Sequence, residues 1–374
     1  MLSEIPVLPG LHIDAQHVIG APPQPAERAW FDVIALADGR TAMLVGDLVG
    51  PGSESALGTA RLRTILNEML PNRQDLDAVV GSMSKATVDG GSAVQGTTLS
   101  VAVLDPRDGN LHYSTCAHPP PLVVTADGLT RPLRPTGAED PESSLSSAIE
   151  REHLAPDDVL VMHTGDRSPL LGPAFEPPAA AAPEADELAR ADGGDQPAPA
   201  PRTEEVCRAT AAMIGQGGTQ HDLAIVAVQL KPPVPRLKLI VPGVVESLAP
   251  AAQAVGDWLA ALRSSIEDGA GMALAMGEAV TNAIQHAFVG GRPGSVQVEC
   301  RLLADGMLVC SVRDDGRWLP SESSRRDRTG RGLRLMARLC DRIQIRREVS
   351  GTVVELWRRL HHPVIRSVAM PSSG

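Results

Sequence analysis

The chain has 374 residues, room for two or three domains of ordinary size, and 43% of them are hydrophobic but only 2% aromatic, so Ala, Leu and Val have to fill its cores. A net charge of −11 argues against nucleic acid or an anionic membrane surface as the main partner. Five scattered cysteines, odd in number and without a C-x-x-C pair, argue against a disulfide framework or zinc site and for a reducing cytoplasm; no apolar run is long enough to span a membrane, and the N-terminus lacks a secretory leader pattern.

Residues 30–50, WFDVIALADGRTAMLVGDLVG, predict two strands joined by a turn at Ala37-Asp38-Gly39-Arg40. A helix is expected from about Glu54 to Met69, stopping before Pro71. Residues 97–104 and 111–116 read as a hairpin around DPRDGN, and Leu122–Val124 with the turn TADG begin another strand pair. DDVLVMHTGD and HDLAIVAVQL are continuous apolar runs, the pattern of strands buried on both faces. Strand pairs interspersed with helices predict an α+β sandwich.

Between Gly172 and Pro201 the composition shifts to Pro, Ala, Gly and acid, with almost nothing to bury. The segment is a disordered insertion in the first domain, since a strand at 222–230 follows it, or else an interdomain linker. KPPVPR at 231–236 is the clearer boundary. The division is thus a first domain over 1–230, a linker over 231–236, a second domain over 237–360 and a tail over 361–374. Within the second domain, LKLIVPG predicts a strand, 246–266 and 269–288 two helices, and SVQVECRLLADGMLVCSVRDDG a hairpin. SSRRDRTGRGLRLMARLCDRI reads as a Gly- and Arg-rich loop running into a helix, and IQIRREVSGTVVELWRRL as two closing strands. That order predicts one sheet with its helices on one face.

The helix at 269–288 contains GEAVTNAIQHAF, in which Glu278, Asn282 and His286 recur every four residues and form one polar stripe. Ala279, Ala283 and Ala287, with Val280 and Ile284, supply the buried side. VRDDGRW at 312–318 and TGRGLRLM at 329–336 follow. Taken singly, a mid-helix Glu is an ordinary solvated residue, Asp-Asp-Gly an ordinary turn, and G-x-G a common helix lead-in. In this order and spacing, over residues 236–360, they resemble the Bergerat-type ATPase fold shared by gyrase, histidine kinases and the RsbW anti-sigma kinases.

The resemblance implies ATP with Mg²⁺. Asn282 would ligate the Mg²⁺ that bridges the phosphates, because that cation takes hard oxygen ligands. Asp314 would accept a hydrogen bond from the adenine amine, Gly316 would let the backbone approach the base, and Thr352 would lie near the adenine. Gly330 and Gly332 would form a loop over the phosphates, with backbone N–H groups favouring anions at the following helix start. Arg331, with Arg325, Arg326 or Arg328, either adds charge to the triphosphate or is a solvated face. His286 belongs to the family pattern, and is otherwise read as a packed helix histidine. No phosphoacceptor-histidine helix precedes the domain, so the resemblance is to the anti-sigma serine kinases, in which Glu278 would be the general base.

Residues 6–230 resemble the SpoIIE-type serine/threonine phosphatases, the bacterial branch of the metal-dependent phosphatases. LPGLHIDAQHVIG stands as the lead strand, WFDVIALADGRTAMLVGDLVGPG as the signature hairpin, CAHPPPLVV as the A-G-H-P-P element, DDVLVMHTGD as the strand bearing a metal aspartate and HDLAIVAVQL as the last strand. Such a domain holds two divalent cations, Mn²⁺ or Mg²⁺, through aspartates and activates a water on phosphoserine. Here Asp47 is kept, but Ala29 stands where the family has a metal Asp. Thr164-Gly165-Asp166 has its acid displaced by one residue, and His221 precedes Asp222 where two acids are expected. Asp47, Asp166 and Asp222 are the remaining candidate ligands of a depleted site.

The chain as a whole is expected to be an α+β protein: a metal-dependent-phosphatase-type β-sandwich flanked by helices, followed by a Bergerat-type α/β sandwich ATPase domain. Its expected role is a cytoplasmic regulator of partner switching that acts on an anti-sigma antagonist protein, a sigma factor or both. No direct nucleic acid or membrane contact is expected, and a homodimer is compatible with the reading. Two alternatives stay open: an active phosphoserine phosphatase with the ATPase domain as nucleotide sensor, and a non-catalytic, ATP-gated anti-sigma binding protein.

Overall fold

The structure is a computed structural model that describes residues 4–19, 29–48, 63–64, 68–69, 76, 97–116, 118–134, 149–165, 202–216, 222–288, 293–316 and 326–368. Most of the helix expected at 54–69 and the whole segment 172–201 lie outside the described residues, as do Asp166 and His221. The strands are, in chain order, β1 (Ile5–Pro6), β2 (Leu11–Ile19), β3 (Ala29–Ala35), β4 (Thr41–Leu48), β5 (Thr97–Leu104), β6 (Asn110–Cys116), β7 (Leu122–Val124), β8 (Thr130–Pro132), β9 (Glu150–His153), β10 (Val159–His163), β11 (Leu223–Leu230), β12 (Leu237–Pro242), β13 (Ser295–Leu302), β14 (Met307–Asp314), β15 (Arg342–Glu348), β16 (Gly351–Arg359), β17 (His361–His362) and β18 (Ile365–Val368). The helices named here are α1 (Arg202–Gln216), α2 (Leu248–Ala261), α3 (Ile266–Ala287) and α4 (Arg326–Leu339).

The chain divides into two compact units. The first comprises Met1–Ile5, Leu11–Lys231 and Val364–Gly374, and the second Pro6–Gly10 and Pro232–Pro363. In the first unit a six-stranded sheet, β18-β2-β11-β10-β7-β8, packs through β10 and β11 against a five-stranded sheet, β3-β4-β5-β6-β9. Every residue of β11 is buried, because β2 and β10 flank it in the sheet, α1 covers one face and the second sheet the other. That is why LAIVAVQL is continuously apolar instead of alternating. Val206, Cys207 and Ile214 of α1 meet Leu223, Ile225, Ala227, Val159 and Val161 in this layer.

The second unit is one antiparallel sheet, β12-β13-β14-β16-β15. Val296, Val298 and Cys300 of β13 and Leu308, Cys310 and Val312 of β14 alternate onto one face. They share a core there with Val255, Trp258 and Leu259 of α2 and Met272, Met276 and Val280 of α3. At their junction the first helix ends earlier, and the second begins earlier, than the sequence suggests. α2 stops at Ala261, and Arg263 takes a left-handed φ of 54° in the turn to α3. Ser265 then caps α3 by accepting from the Asp268 backbone N–H at 3.1 Å, so the helix starts at Ile266 instead of 269. The KPPVPR stretch is held to the second unit, with the Trp258 indole N–H donating to the Pro235 carbonyl at 2.6 Å.

Both ends of the chain depart from the sequence reading. Val7 is 3% exposed in the second unit's core, and its N–H donates to the Leu360 carbonyl at 2.9 Å. The segment read as a tail carries β18, which pairs in parallel with β2 from Ile365↔Gln16 to Val368↔Ile19 and extends the first unit's sheet. Neither segment is long enough to show a periodicity from which its partner could be read. Val7→Asp places an unpaired carboxylate in that core, at a cost of several kcal/mol. It is expected to lower the unfolding midpoint of the second unit and to leave β10 and β11 amides as protected from hydrogen exchange as in the wild type.

Candidate functional site

A pocket of about 650 Å³, part of it open to solvent, lies in the second unit. Its walls come from three places: Ala279, Asn282, Ala283, His286 and Ala287 on α3; Leu333 and Met336 on α4; and Val312, Asp314, Ile345, Thr352 and Val354 on the sheet. The small residues of α3 keep that wall shallow, and the polar stripe runs along it. Glu278 and Asn282 are half-buried and His286 is exposed.

Asp314, at the end of β14, is the charged group of the pocket's floor and only 5% exposed. Its Oδ1 accepts from the Gly316 N–H at 3.1 Å and from the Thr352 N–H at 3.2 Å. Its Oδ2 accepts no hydrogen bond among the described residues. Burial raises the pKa of this carboxyl above its ordinary value, and the two amides only partly offset that. Two close approaches make the geometry possible. Gly351 has φ +134°, and a Cβ there would fall 1.8 Å from the Asp314 carbonyl oxygen, so only glycine lets the Thr352 amide reach the carboxylate. A Cβ on Gly316 would come within 2.3 Å of the Ala287 carbonyl, which fixes the turn against the end of α3. The neighbouring Asp315 points away: its carboxylate accepts from Ser295 N–H at 2.8 Å and Oγ at 2.9 Å, and these bonds hold its pKa down.

At the other end of the stripe, Gly332 lies against the acid and the amide of α3. A Cβ there would sit 2.7 Å from Glu278 Oε2 and 3.4 Å from Asn282 Nδ2. The structure therefore brings Asn282, Asp314 and Thr352 into one pocket, with Gly316 at its rim and Glu278 and Gly332 beside it. Two expectations are corrected. Gly330, Arg331 and Gly332 are not in a loop before the helix, because the backbone is helical from Arg326. Arg, Leu and Met are good helix formers, and α4 runs through both glycines despite a cost of about 1 kcal/mol each. His286 is not packed in the core but exposed on the pocket wall. The apolar wall of Leu333, Met336, Ile345 and Val354 was not anticipated; the i, i+3 pair on α4 behind Gly332 was the available signal.

In the first unit, Asp47 is the penultimate residue of β4, and the residue paired with it across the ladder is Ala29. Asp32, the remaining acid of that hairpin strand, is engaged by Arg63, whose Nε and Nη2 donate to its two oxygens at 2.7 and 2.8 Å. Gly165 has φ +90°, and a Cβ there would meet Leu223 and Ile214 at 3.4 and 3.5 Å, so that position looks onto apolar packing. Asp222 lies just before β11. Among the described residues no three His, Cys, Asp or Glu side chains are grouped to hold a metal. Among the described residues, Ala29 and Gly165 stand at two positions where the resemblance expects metal-binding acids.

Residues 37–231, about half of the chain, match the family described as Stage II sporulation protein E (SpoIIE). The chain belongs to the SpoIIE family. Residues 241–357 match the histidine kinase-like ATPase domain. Over 97% of its length the chain is similar to the crystal structure of the RsbU and RsbW domains of a protein from Mycobacterium tuberculosis, covering 98% of that chain at 27% identity and a TM-score of 0.78. An anti-sigma F factor of Heyndrickxia coagulans is 29% identical over 117 residues, which are 28% of this chain and 80% of that relative. The protein is thus a fusion of a SpoIIE-type phosphatase domain with an anti-sigma-kinase-like ATPase domain, in the order RsbU then RsbW.

Gly351→Ala tests the floor of the pocket. The left-handed φ and the contact with the Asp314 carbonyl are expected to destabilise the second unit by more than about 1 kcal/mol. Denaturant unfolding would measure this, with the Thr352 amide losing its exchange protection in the same variant.

Proposed function

We propose that this SpoIIE-family protein is a partner-switching regulator whose second unit binds Mg²⁺–ATP and phosphorylates a serine on an anti-sigma antagonist protein. The observation that carries the reading is the arrangement of the pocket: a buried acceptor, Asp314 Oδ2, at one end and Glu278, Asn282 and Gly332 together at the other. ATP would supply the phosphoryl group and Mg²⁺ the charge that offsets its phosphates.

The protein's own residues do the rest. Asp314 accepts a hydrogen bond from an exocyclic amine, and its Oδ1 is already committed to two backbone amides, so the carboxylate cannot rotate away. A ring with an oxo group there would set oxygen against oxygen, which selects adenine over guanine. Val312, Met336, Ile345 and Val354 give the base apolar surface and exclude water. The side-chain oxygen of Asn282 is a neutral, hard ligand for Mg²⁺. Glu278, one turn earlier on the same face, is a carboxylate placed to take the proton of an acceptor hydroxyl.

The first unit is read as a phosphatase fold without a working two-cation site, serving to sense or dock a partner. Partners of this class are the antagonist protein, a sigma factor or both, and a homodimer is compatible with the reading. The proposed location is the cytoplasm; no described helix is long and apolar enough to cross a membrane.

Transfer of labelled phosphate from ATP to an acceptor-serine antagonist by the full chain tests the kinase. Glu278→Gln is expected to keep ATP affinity within about twofold while transfer falls by about 10²–10⁴, the usual contribution of a general base. Equal transfer by the variant would remove Glu278 from the mechanism, and binding without any transfer would favour an ATP-gated binding protein. Phosphoserine release by the full chain with Mn²⁺ or Mg²⁺ is expected to be no greater than in Asp47→Ala. Metal-dependent release lost in that variant would show that acids from elsewhere complete the site.

A further inference from the structure

One guanidinium joins the three elements that wall the nucleotide pocket. Arg358 lies near the end of β16, the strand that carries Thr352 and Val354, and its side chain is 17% exposed. Its Nη2 and Nε donate to Asp268 Oδ1 at 2.6 and 3.1 Å, and its Nη1 donates to the carbonyl of Leu339, the last residue of α4. Asp268 stands in the first turn of α3, 11% exposed, and its Oδ2 accepts from the His361 N–H at 2.9 Å and faces His361 Nδ1 at 3.3 Å. Burial alone would raise the Asp268 pKa, but the guanidinium and the His361 amide outweigh it and hold the carboxyl below its ordinary value. Gly271 makes room: a Cβ there would meet Arg358 Nη1 at 3.3 Å and Leu339 Cδ2 at 3.5 Å.

The charges are placed where the helices want them. A carboxylate in the first turn of α3 and a cation at the last carbonyl of α4 both complement the helix dipoles. The rigid fork gives Nε and Nη2 to the carboxylate and Nη1 to the carbonyl, a fixed spread of donors that a compact ammonium on a flexible stem does not reproduce. Leu339 is three residues beyond Met336, six beyond Leu333 and seven beyond Gly332. The end of α4 fixed by Arg358 is therefore one to two turns from the residues that line the pocket and cover Glu278.

We propose that Arg358 is a positioning residue for the nucleotide: by pinning the C-terminal end of α4 to the first turn of α3, it sets Leu333 and Met336 against the pocket and Gly332 against Glu278 and Asn282. The proposal rests on the reading of the pocket as an Mg²⁺–ATP site. A tie that served stability alone would lower the melting temperature without changing affinity below it.

The test uses the full chain and a fluorescent ATP analogue with Mg²⁺, on wild type, Arg358→Lys, Arg358→Met and Asp314→Asn, at a temperature where each is folded. Amide hydrogen exchange of residues 332–340 is followed in parallel without nucleotide. Arg358→Lys is expected to bind about tenfold more weakly, equivalent to about 1.4 kcal/mol. Its α4 amides should exchange faster while those of β13 and β14 stay protected. If transfer is measured, KM for ATP should rise with kcat little changed. Wild-type affinity and unchanged α4 exchange in the Lys variant would overturn the proposal, whatever its melting temperature and whether or not the Met variant folds. A Lys variant that loses protection equally in α4, β13 and β14 would also overturn it, since Arg358 would then hold the whole unit. If wild type binds no more tightly than Asp314→Asn, the reading of the pocket falls instead, and this proposal falls with it.

Discussion

A carboxylate in an apolar wall has to be satisfied by its own backbone or lose its charge, and the second unit is organised around that requirement at Asp314. Two amides reach Oδ1, one from the turn that follows the strand and one from the neighbouring β16. Each amide depends on a residue without a side chain, at Gly316 and at Gly351. The turn is further held by Asp315 on Ser295, which closes the hairpin at the edge of the pocket. What remains is one oxygen presented to a slot of apolar surface. A polar group left in such surroundings discriminates strongly between ligands, because a wrong ligand leaves it unsatisfied.

The first unit shows the converse. Its core is intact: β11 is sealed on both faces, and the two sheets pack as a closed sandwich. Two positions at which the resemblance expects metal-binding acids hold small residues that the packing accepts. Ala29 fits the ladder opposite Asp47, and Gly165 occupies a left-handed turn beside Leu223 and Ile214. A cation site made of several carboxylates is a source of repulsion without its metal, so losing acids there need not weaken the sandwich.

Much of this was legible in the sequence because the signals were local. The unbroken apolar run of β11, the alternation in β13 and β14, and the four-residue recurrence of Glu278, Asn282 and His286 each follow from one element's geometry. The family resemblance came from three such local patterns in order. The rest depended on neighbours. Whether His286 packs or faces the pocket is set by the position of α4, which no pattern within α3 reports. Where α4 begins is a contest between arginine-rich helix propensity and two glycines, and the backbone resolved it towards helix. Arg358 and Asp268 are 90 residues apart in the chain, and nothing in either segment names the other.

The placement of residues 6–10 and of β18 makes each unit depend on a distant stretch of the chain. Residues 6–10 belong to the second unit although they precede the first, and residues 364–374 belong to the first although they follow the second. A cut anywhere in the proline-rich stretch at 231–236 therefore yields a carboxyl fragment without Val7 and an amino fragment without β18. Each unit is thus completed by a segment that lies, in the chain, on the far side of the other.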